Sequence, residues 1–183
     1  MTKTEAKMTS DKSTQKRAKA HQRYKTSFGE ACPGVTTILG VMAKPQLIKW
    51  ANKIGLDGYE VDKWVDALAR IGTLIHYMVE CDIKGVKPDF LDYSPNEINA
   101  AETAFIKWLM WRDKNKFELI SSEGQIVSDS LGFGGTFDIY CIVNGVKTVL
   151  DIKTSKGCYS EQRTQVVAYK KLLQETGHDV IDC

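Results

Sequence analysis

The sequence lacks the features that stabilise a small extracellular domain or anchor a protein in a membrane. Its five cysteines are scattered without a C-x-x-C pair, which argues against a structural zinc site and against a secreted disulfide framework. No apolar run approaches the ~18 residues of a membrane span, and the N-terminus has no hydrophobic signal-peptide stretch. We therefore expect a cytoplasmic protein with no membrane partner.

Large apolar side chains are almost absent from the first 25 residues, which carry eight Lys or Arg against two acids, a net charge of +6. Because the whole chain is +2, the remainder carries −4. Such a segment cannot bury enough surface to become ordered, so we predict a disordered basic tail over residues 1–30 and a single domain over 31–183. The tail could attract nucleic acid, act as a solubilising terminus or, less in keeping with its composition, be a mitochondrial presequence.

Hydrophobic periodicity predicts helices first and strands afterwards. Amphipathic helices are expected from Pro45, from about Asp62 and from an N-cap at Ser94. Extended segments follow after Lys116, and a last helix is expected over about Ser160–Thr176. The sequence therefore predicts an α/β domain, and at this length roughly 70% of the unfolded chain's surface can be buried.

The strongest local signal is Asn144-Gly145, a two-residue hairpin turn between two runs of alternating apolar residues. Such a turn fixes the register, and counting down both strands places Asp138 directly opposite Asp151, with Cβ atoms about 5 Å apart. Lys153 follows on the same face. The hairpin therefore predicts a pair of facing carboxylates beside a lysine.

Two facing carboxylates repel each other unless a cation lies between them. Oxygen ligands of this kind suit Mg²⁺ or Mn²⁺, and Lys153 could hold a water or stabilise phosphate charge. The alternative is a bulge that turns one carboxylate to solvent and leaves Lys153 in a surface ion pair. The residues alone leave both interpretations open.

The segments Gly135-x-x-Asp138 and Asp151-x-Lys153 resemble the PD-(D/E)XK nuclease superfamily. Two further segments, Gly72-Thr73-Leu74-Ile75-His76 upstream and Gln165-Val166-Val167-Ala168-Tyr169 downstream, make the chain similar to the RecB-like exonuclease branch, in particular to its phage-type stand-alone members. The resemblance spans about residues 33–176. It implies a restriction-endonuclease-like core, with a small mixed β-sheet flanked by α-helices.

The resemblance also implies a role for each matching residue. His76, Asp138, Asp151 and the backbone carbonyl of Ile152 correspond to ligands of Mg²⁺ or Mn²⁺, and Lys153 to the catalytic lysine. Further residues are expected to contact DNA: Gln165 and Tyr169, which lie on one helix face, and the hydroxyls of Thr154 and Ser155.

Some of these residues have simpler interpretations. A histidine at the edge of an apolar stripe, as His76 is, is usually structural when no other motif accompanies it. Glu80 could orient the imidazole of His76 or be an exposed acid, and Glu123 could line a groove or end a strand in solvent. Some family members hold an iron–sulfur cluster through a cysteine group that this sequence lacks, so we expect none here.

The resemblance implies a metal-dependent deoxyribonuclease. We expect an exonuclease that acts on single-stranded or duplex DNA ends in recombination, repair or replication, in the cytoplasm of a bacterial or phage-infected cell, alongside recombination or replication proteins. No phosphate-binding G-x-x-x-x-G-K-[ST] motif is present, which favours a stand-alone enzyme. The alternatives are a structure-specific endonuclease such as a junction resolvase, or an inactive DNA-binding module.

Overall fold

The computed structural model describes residues 23–42, 44–155 and 157–183. Residues 1–22, most of the predicted basic tail, lie outside these ranges. A small hairpin pairs β1 (Tyr24–Lys25) with β2 (Ala31–Cys32), partly within the segment that the sequence assigns to the tail. Tyr24 connects this hairpin to the main sheet, since its hydroxyl forms a 3.0 Å hydrogen bond with the Thr136 hydroxyl.

The described residues form five helices: α1 (Val35–Leu39), α2 (Pro45–Leu56), α3 (Val61–Lys84), α4 (Pro95–Lys114) and α5 (Ser160–Glu175). Helices α2 to α5 correspond to the four predicted helices, in the predicted order. Their ends obey local rules. α3 ends at Gly85, whose φ of 66° is left-handed, a backbone conformation that glycine adopts without steric cost. α4 begins with a capping box in which Ser94 and Glu97 satisfy each other's backbone N–H groups.

Three strands, β3 (Phe117–Ser128), β4 (Phe133–Val143) and β5 (Val146–Leu150), form an antiparallel sheet in the order β3-β4-β5. The sheet differs from the mixed one expected, because three strands joined in succession by short turns pair antiparallel. After the crossover through α5, Asp182 forms an isolated parallel bridge with Thr148. The prediction of a mixed sheet is therefore wrong for the three strands themselves.

Helices cover both faces of the sheet, as predicted. Successive residues in the middle of β4 belong to two different core clusters: Tyr140 packs with Leu172 and Leu173 of α5, whereas Ile139 and Cys141 pack with α3 and α4. This alternation follows from the two-residue period of a strand. Within the part of the chain that the structure describes, no helix combines the length and the apolar character needed to span a bilayer.

Candidate metal centre

The hairpin of β4 and β5 brings the first candidate residues to one end of the sheet. Both residues of its turn have left-handed φ angles, 52° at Asn144 and 86° at Gly145, as a type I′ turn requires. The ladder follows the predicted register but ends one pair short of the two carboxylates. Beyond it, Asp138 Oδ2 accepts a 2.7 Å hydrogen bond from the backbone N–H of Ile152, which ties Asp138 to the residue that follows Asp151.

Helix α3 supplies the histidine. Its apolar face is buried against β4, with Leu74 and Ile75 in the core, and this packing positions the next residue, His76, at the end of the sheet. His76 Nδ1 lies 3.4 Å from Asp138 Oδ1. The structure therefore brings together two side chains that are 62 positions apart in the sequence.

The contact between His76 and Asp138 changes the protonation of both groups. Burial by itself would lower the pKa of His76, but the hydrogen bond and charge of Asp138 outweigh burial and raise it. Burial would likewise raise the pKa of Asp138, but His76 and the N–H of Ile152 together lower it. The pair therefore favours a carboxylate next to an imidazolium, and each charge depends on the other.

The second carboxylate has a different environment. Asp151 has a buried side chain, 6% exposed, and its Oδ2 lies 2.6 Å from Lys153 Nζ. Burial and the negative charge of Asp138 raise the pKa of Asp151, and the attraction of Lys153 offsets them only in part. This is the electrostatic conflict that two carboxylates produce at close range, and a bound cation would relieve it.

A third carboxylate joins the site from β3. One nitrogen of His76 and one carboxylate oxygen from each of Glu123 and Asp138 lie within 4.8 Å of one another. Glu123 has a left-handed φ of 55°, uncommon for a residue other than glycine, and this local irregularity accompanies its position beside α3. The sequence suggested Glu123 only as a residue that could line a groove. Asp151 is not a member of this closest group.

The other acid considered from the sequence is engaged elsewhere. Glu80 lies one helical turn after His76, and its Oε1 forms a 2.6 Å ion pair with Nζ of Lys84 on the same helix. An i, i+4 pair of this kind stabilises an exposed helix face slightly. Glu80 is not one of the three residues whose ligand atoms lie within 4.8 Å of one another around Asp138, and a contact with the His76 imidazole stays a prediction.

The two hydroxyls after Lys153 have different surroundings. Thr154 lies near Gly72 of α3, because a Cβ on Gly72 would be 3.9 Å from Thr154 Oγ1. Ser155 donates a 2.8 Å hydrogen bond to the carbonyl of Gly157 and accepts one from Gln162, so its hydroxyl holds the loop before α5. A DNA contact for either residue stays a prediction.

Gln165 and Tyr169 lie one turn apart on α5, as predicted, and contact each other. Gln165 donates a 2.8 Å hydrogen bond to the Tyr169 hydroxyl, and Tyr169 is only 3% exposed. A Cβ on Gly135 would come within 2.6 Å of the Tyr169 ring, so a glycine is required where β4 passes under α5. Tyr169 thus has a packing role, and its DNA contact stays a prediction.

An open cavity of about 480 Å³ adjoins Asp151 and Lys153. Its polar lining comes from this pair and from Ser155, Gln162 and Arg163, while Val149 and Val166 supply apolar surface. A volume of this size accommodates a small ligand or one unit of a larger one. The lysine next to Asp151 is therefore accessible to a bound molecule.

The donor set suits a divalent cation that prefers oxygen and accepts one imidazole. Carboxylates favour Mg²⁺ and Mn²⁺, and the imidazole favours Mn²⁺ of these two. The five cysteines are all free thiols, and two of them, Cys81 and Cys141, are buried.

No family model matches the chain, and no curated protein matches it.

Proposed function

We propose that this protein is a metal-dependent deoxyribonuclease with a PD-(D/E)XK core, and that it removes nucleotides from DNA ends. One observation carries the proposal: Asp138 and Asp151 lie at one end of a hairpin, each held by a basic partner, His76 for the first and Lys153 for the second. A stable fold gains little from two close carboxylates, whereas metal-dependent phosphodiester hydrolysis uses acidic ligands that hold the cation.

The chain's own residues would have separate tasks in that reaction. His76, Glu123, Asp138 and Asp151 would hold Mg²⁺ or Mn²⁺, together with the Ile152 carbonyl that the resemblance implies. When bound, such an ion supplies Lewis-acid chemistry, polarising a phosphate oxygen and lowering the pKa of a water.

Lys153 would orient the attacking water and offset phosphate charge, and Asp151 would keep its ammonium group in place through their 2.6 Å contact. Lys153 has a side chain that is 34% exposed, so a phosphate can approach it from the adjoining cavity. Gln165 would contribute a polar contact to the DNA strand. The basic tail would add attraction to phosphate that weakens steeply with salt.

The test is the degradation of a short DNA labelled separately at each end and offered single-stranded, as a duplex and as a closed circle. Wild type is compared with Asp151→Asn and with Glu102→Gln, a matched acid-to-amide change at an exposed position of α4, in Mg²⁺, Mn²⁺ or EDTA. We expect metal-dependent shortening of linear DNA by wild type and by Glu102→Gln, and a rate lower by about 10³-fold in Asp151→Asn.

The possible results separate the alternatives. Cleavage of closed circles would favour an endonuclease such as a junction resolvase over an exonuclease. DNA binding without cleavage in any metal would favour an inactive binding module and would contradict the proposal. The label that is lost first gives the polarity of digestion.

A further inference from the structure

The exposed large apolar side chains of this protein are concentrated in one segment. Ten of the 21 such residues among the described positions fall within residues 38–68, which include α2 and the first third of α3. Exposed apolar residues are normal when scattered, but a concentration of them marks an interaction surface. This segment therefore needs an explanation that the metal centre does not give.

Helix α2 has an apolar column on its outward side. Ile48 and Leu56, two turns apart, are 73% and 79% exposed, whereas Trp50 and Ile54 on another side of the helix are half-buried. Lys49 and its i+4 neighbour Lys53 form the adjoining column. The outward side of α2 thus combines aliphatic surface with positive charge.

Helix α3 has the corresponding arrangement with the opposite charge. Its apolar stripe is buried from Leu74 onward but continues uncovered toward the N-terminus through Trp64, Val65 and Leu68, which are 37–49% exposed. Asp62 and its i+4 neighbour Asp66 form the column next to Val65. Aliphatic surface here therefore lies beside negative charge.

The N-terminal segment is a poor match for this surface. Residues 1–22 contain no Leu, Ile, Val, Phe, Tyr or Trp, and Met1 and Met8 are their only large apolar side chains, so they offer little apolar surface. Nucleic acid is a poor fit as well, since the α3 column is acidic and most of the exposed side chains are aliphatic. An occupant must offer aliphatic surface together with both signs of charge.

We propose that the outward sides of α2 and α3 form a docking surface for a second copy of this chain. In a two-fold arrangement, α2 of one protomer packs on the exposed part of α3 of its partner, and the reverse contact is made by symmetry. Lys49 and Lys53 then meet Asp62 and Asp66 of the other copy, and the apolar columns meet between them. The surface is its own complement because the two helices carry opposite charges.

The first test is the mass of the full chain by sedimentation equilibrium between about 1 and 100 μM, a range that spans micromolar dissociation constants, in EDTA and without DNA. We expect a reversible dimer. Ile48→Gln combined with Leu56→Gln should weaken dimerisation at least tenfold, whereas Leu91→Gln, at a residue that is 91% exposed elsewhere, should leave it unchanged. Wild type that stays monomeric throughout overturns the proposal.

Charge reversal gives the sharper test, because it distinguishes a second copy from any other partner. Lys49→Glu/Lys53→Glu and Asp62→Lys/Asp66→Lys should each weaken dimerisation about tenfold or more, since two-fold symmetry repeats every repulsive contact. Mixed together, the two variants should form a heterodimer within about threefold of wild-type affinity, because every facing pair is then opposite in charge.

A heterodimer can form only if both variants fold, so a folding defect cannot imitate rescue. Failure of the mixture to associate while each variant keeps its helical circular dichroism overturns the proposed pairing. If wild type is monomeric and these substitutions weaken the binding of the protein to DNA, the surface binds nucleic acid and the proposal is wrong. Because the readout is mass in the absence of metal and DNA, the result is independent of the proposed nuclease activity.

Discussion

Two groups of charged side chains on helix α3 differ in how completely they are satisfied. Asp82, near the end of the helix, accepts a 2.7 Å hydrogen bond from the Trp108 indole and pairs with Arg112 of α4. His76, six residues earlier, belongs to the group in which Asp138 and Asp151 repel each other. The first group joins two helices through a carboxylate that has two donors, whereas the second holds two mutually repelling carboxylates in a partly buried place.

This difference distinguishes a structural ion pair from the proposed functional site. A charge network that only supports the fold is expected to pair its charges and to satisfy its hydrogen bonds. A group that departs from this rule is expected where function requires it. The comparison therefore predicts that changes in the Asp82 group affect stability, and that changes in the Asp138 group affect activity and metal binding.

The largest expected effect is on DNA cleavage. Asp138→Asn should lower the rate by about 10³-fold or more, because it removes a ligand charge and the partner of His76. Asp82→Asn, the same chemical change on α3, should leave the rate within about threefold of wild type, measured well below its melting temperature. Equal losses of activity in the two variants would abolish the distinction between the groups.

Metal binding should depend on the Asp138 group and not on the Asp82 group. Mn²⁺ at 100 times its dissociation constant should stabilise the folded protein by about 2.7 kcal/mol, measured as a rise in melting temperature, and Mg²⁺ should bind more weakly. Glu123→Gln should weaken Mn²⁺ binding by about 10- to 100-fold or more. Losses of that size follow when a residue that supports a metal ligand is removed. An unchanged affinity would exclude Glu123 as a ligand.

Substitutions in the Asp82 group should instead change the free energy of unfolding. Asp82→Ala leaves the Trp108 indole and Nη1 of Arg112 without their acceptor, which should cost about 2 kcal/mol in the free energy of unfolding. Asp113→Ala removes an exposed carboxylate, also 3.1 Å from Arg112, and should cost less than about 0.5 kcal/mol. Chemical denaturation measures both, and similar losses in the two variants would mean that burial of Asp82 contributes nothing.

Local rules predicted much of this molecule from the sequence. The Asn144-Gly145 turn fixed the register of β4 and β5, because a two-residue turn admits one pairing. The start of α4 followed from the N-cap at Ser94. These features depend on a few neighbouring residues, so the sequence suffices for them.

Features that depend on distant contacts were not predicted. Strand β4 begins at Phe133 and continues through Gly134 and Gly135, although glycines usually interrupt strands. A Cβ on Gly134 would clash with Tyr24 and Val127, and a Cβ on Gly135 would clash with Tyr169. The place of Glu123 depends on the left-handed backbone at that residue within β3. Neither the contacts at these glycines nor the backbone conformation at Glu123 leaves a signal in the local sequence.

The smallest expected effect concerns the pH dependence of stability in EDTA. Because the pKa of Asp151 is raised in the folded protein, the folded state holds this proton more tightly than the unfolded state does. The stability that protonated Asp151 contributes is therefore complete below the usual pKa of about 3.9 and is lost as pH rises through the raised value.

Asp151→Asn cannot lose a proton, so its free energy of unfolding should match that of wild type near pH 4 and exceed it at pH 7. Lys153→Met should have the opposite effect at pH 7, since it removes the ammonium group that offsets part of the cost of the ionised carboxylate. Urea denaturation across this pH range measures both differences. If Asp151→Asn is instead less stable than wild type at pH 7, the pair of Asp151 and Lys153 stabilises the fold as the Asp82 group does, and the contrast between the two ends of α3 disappears.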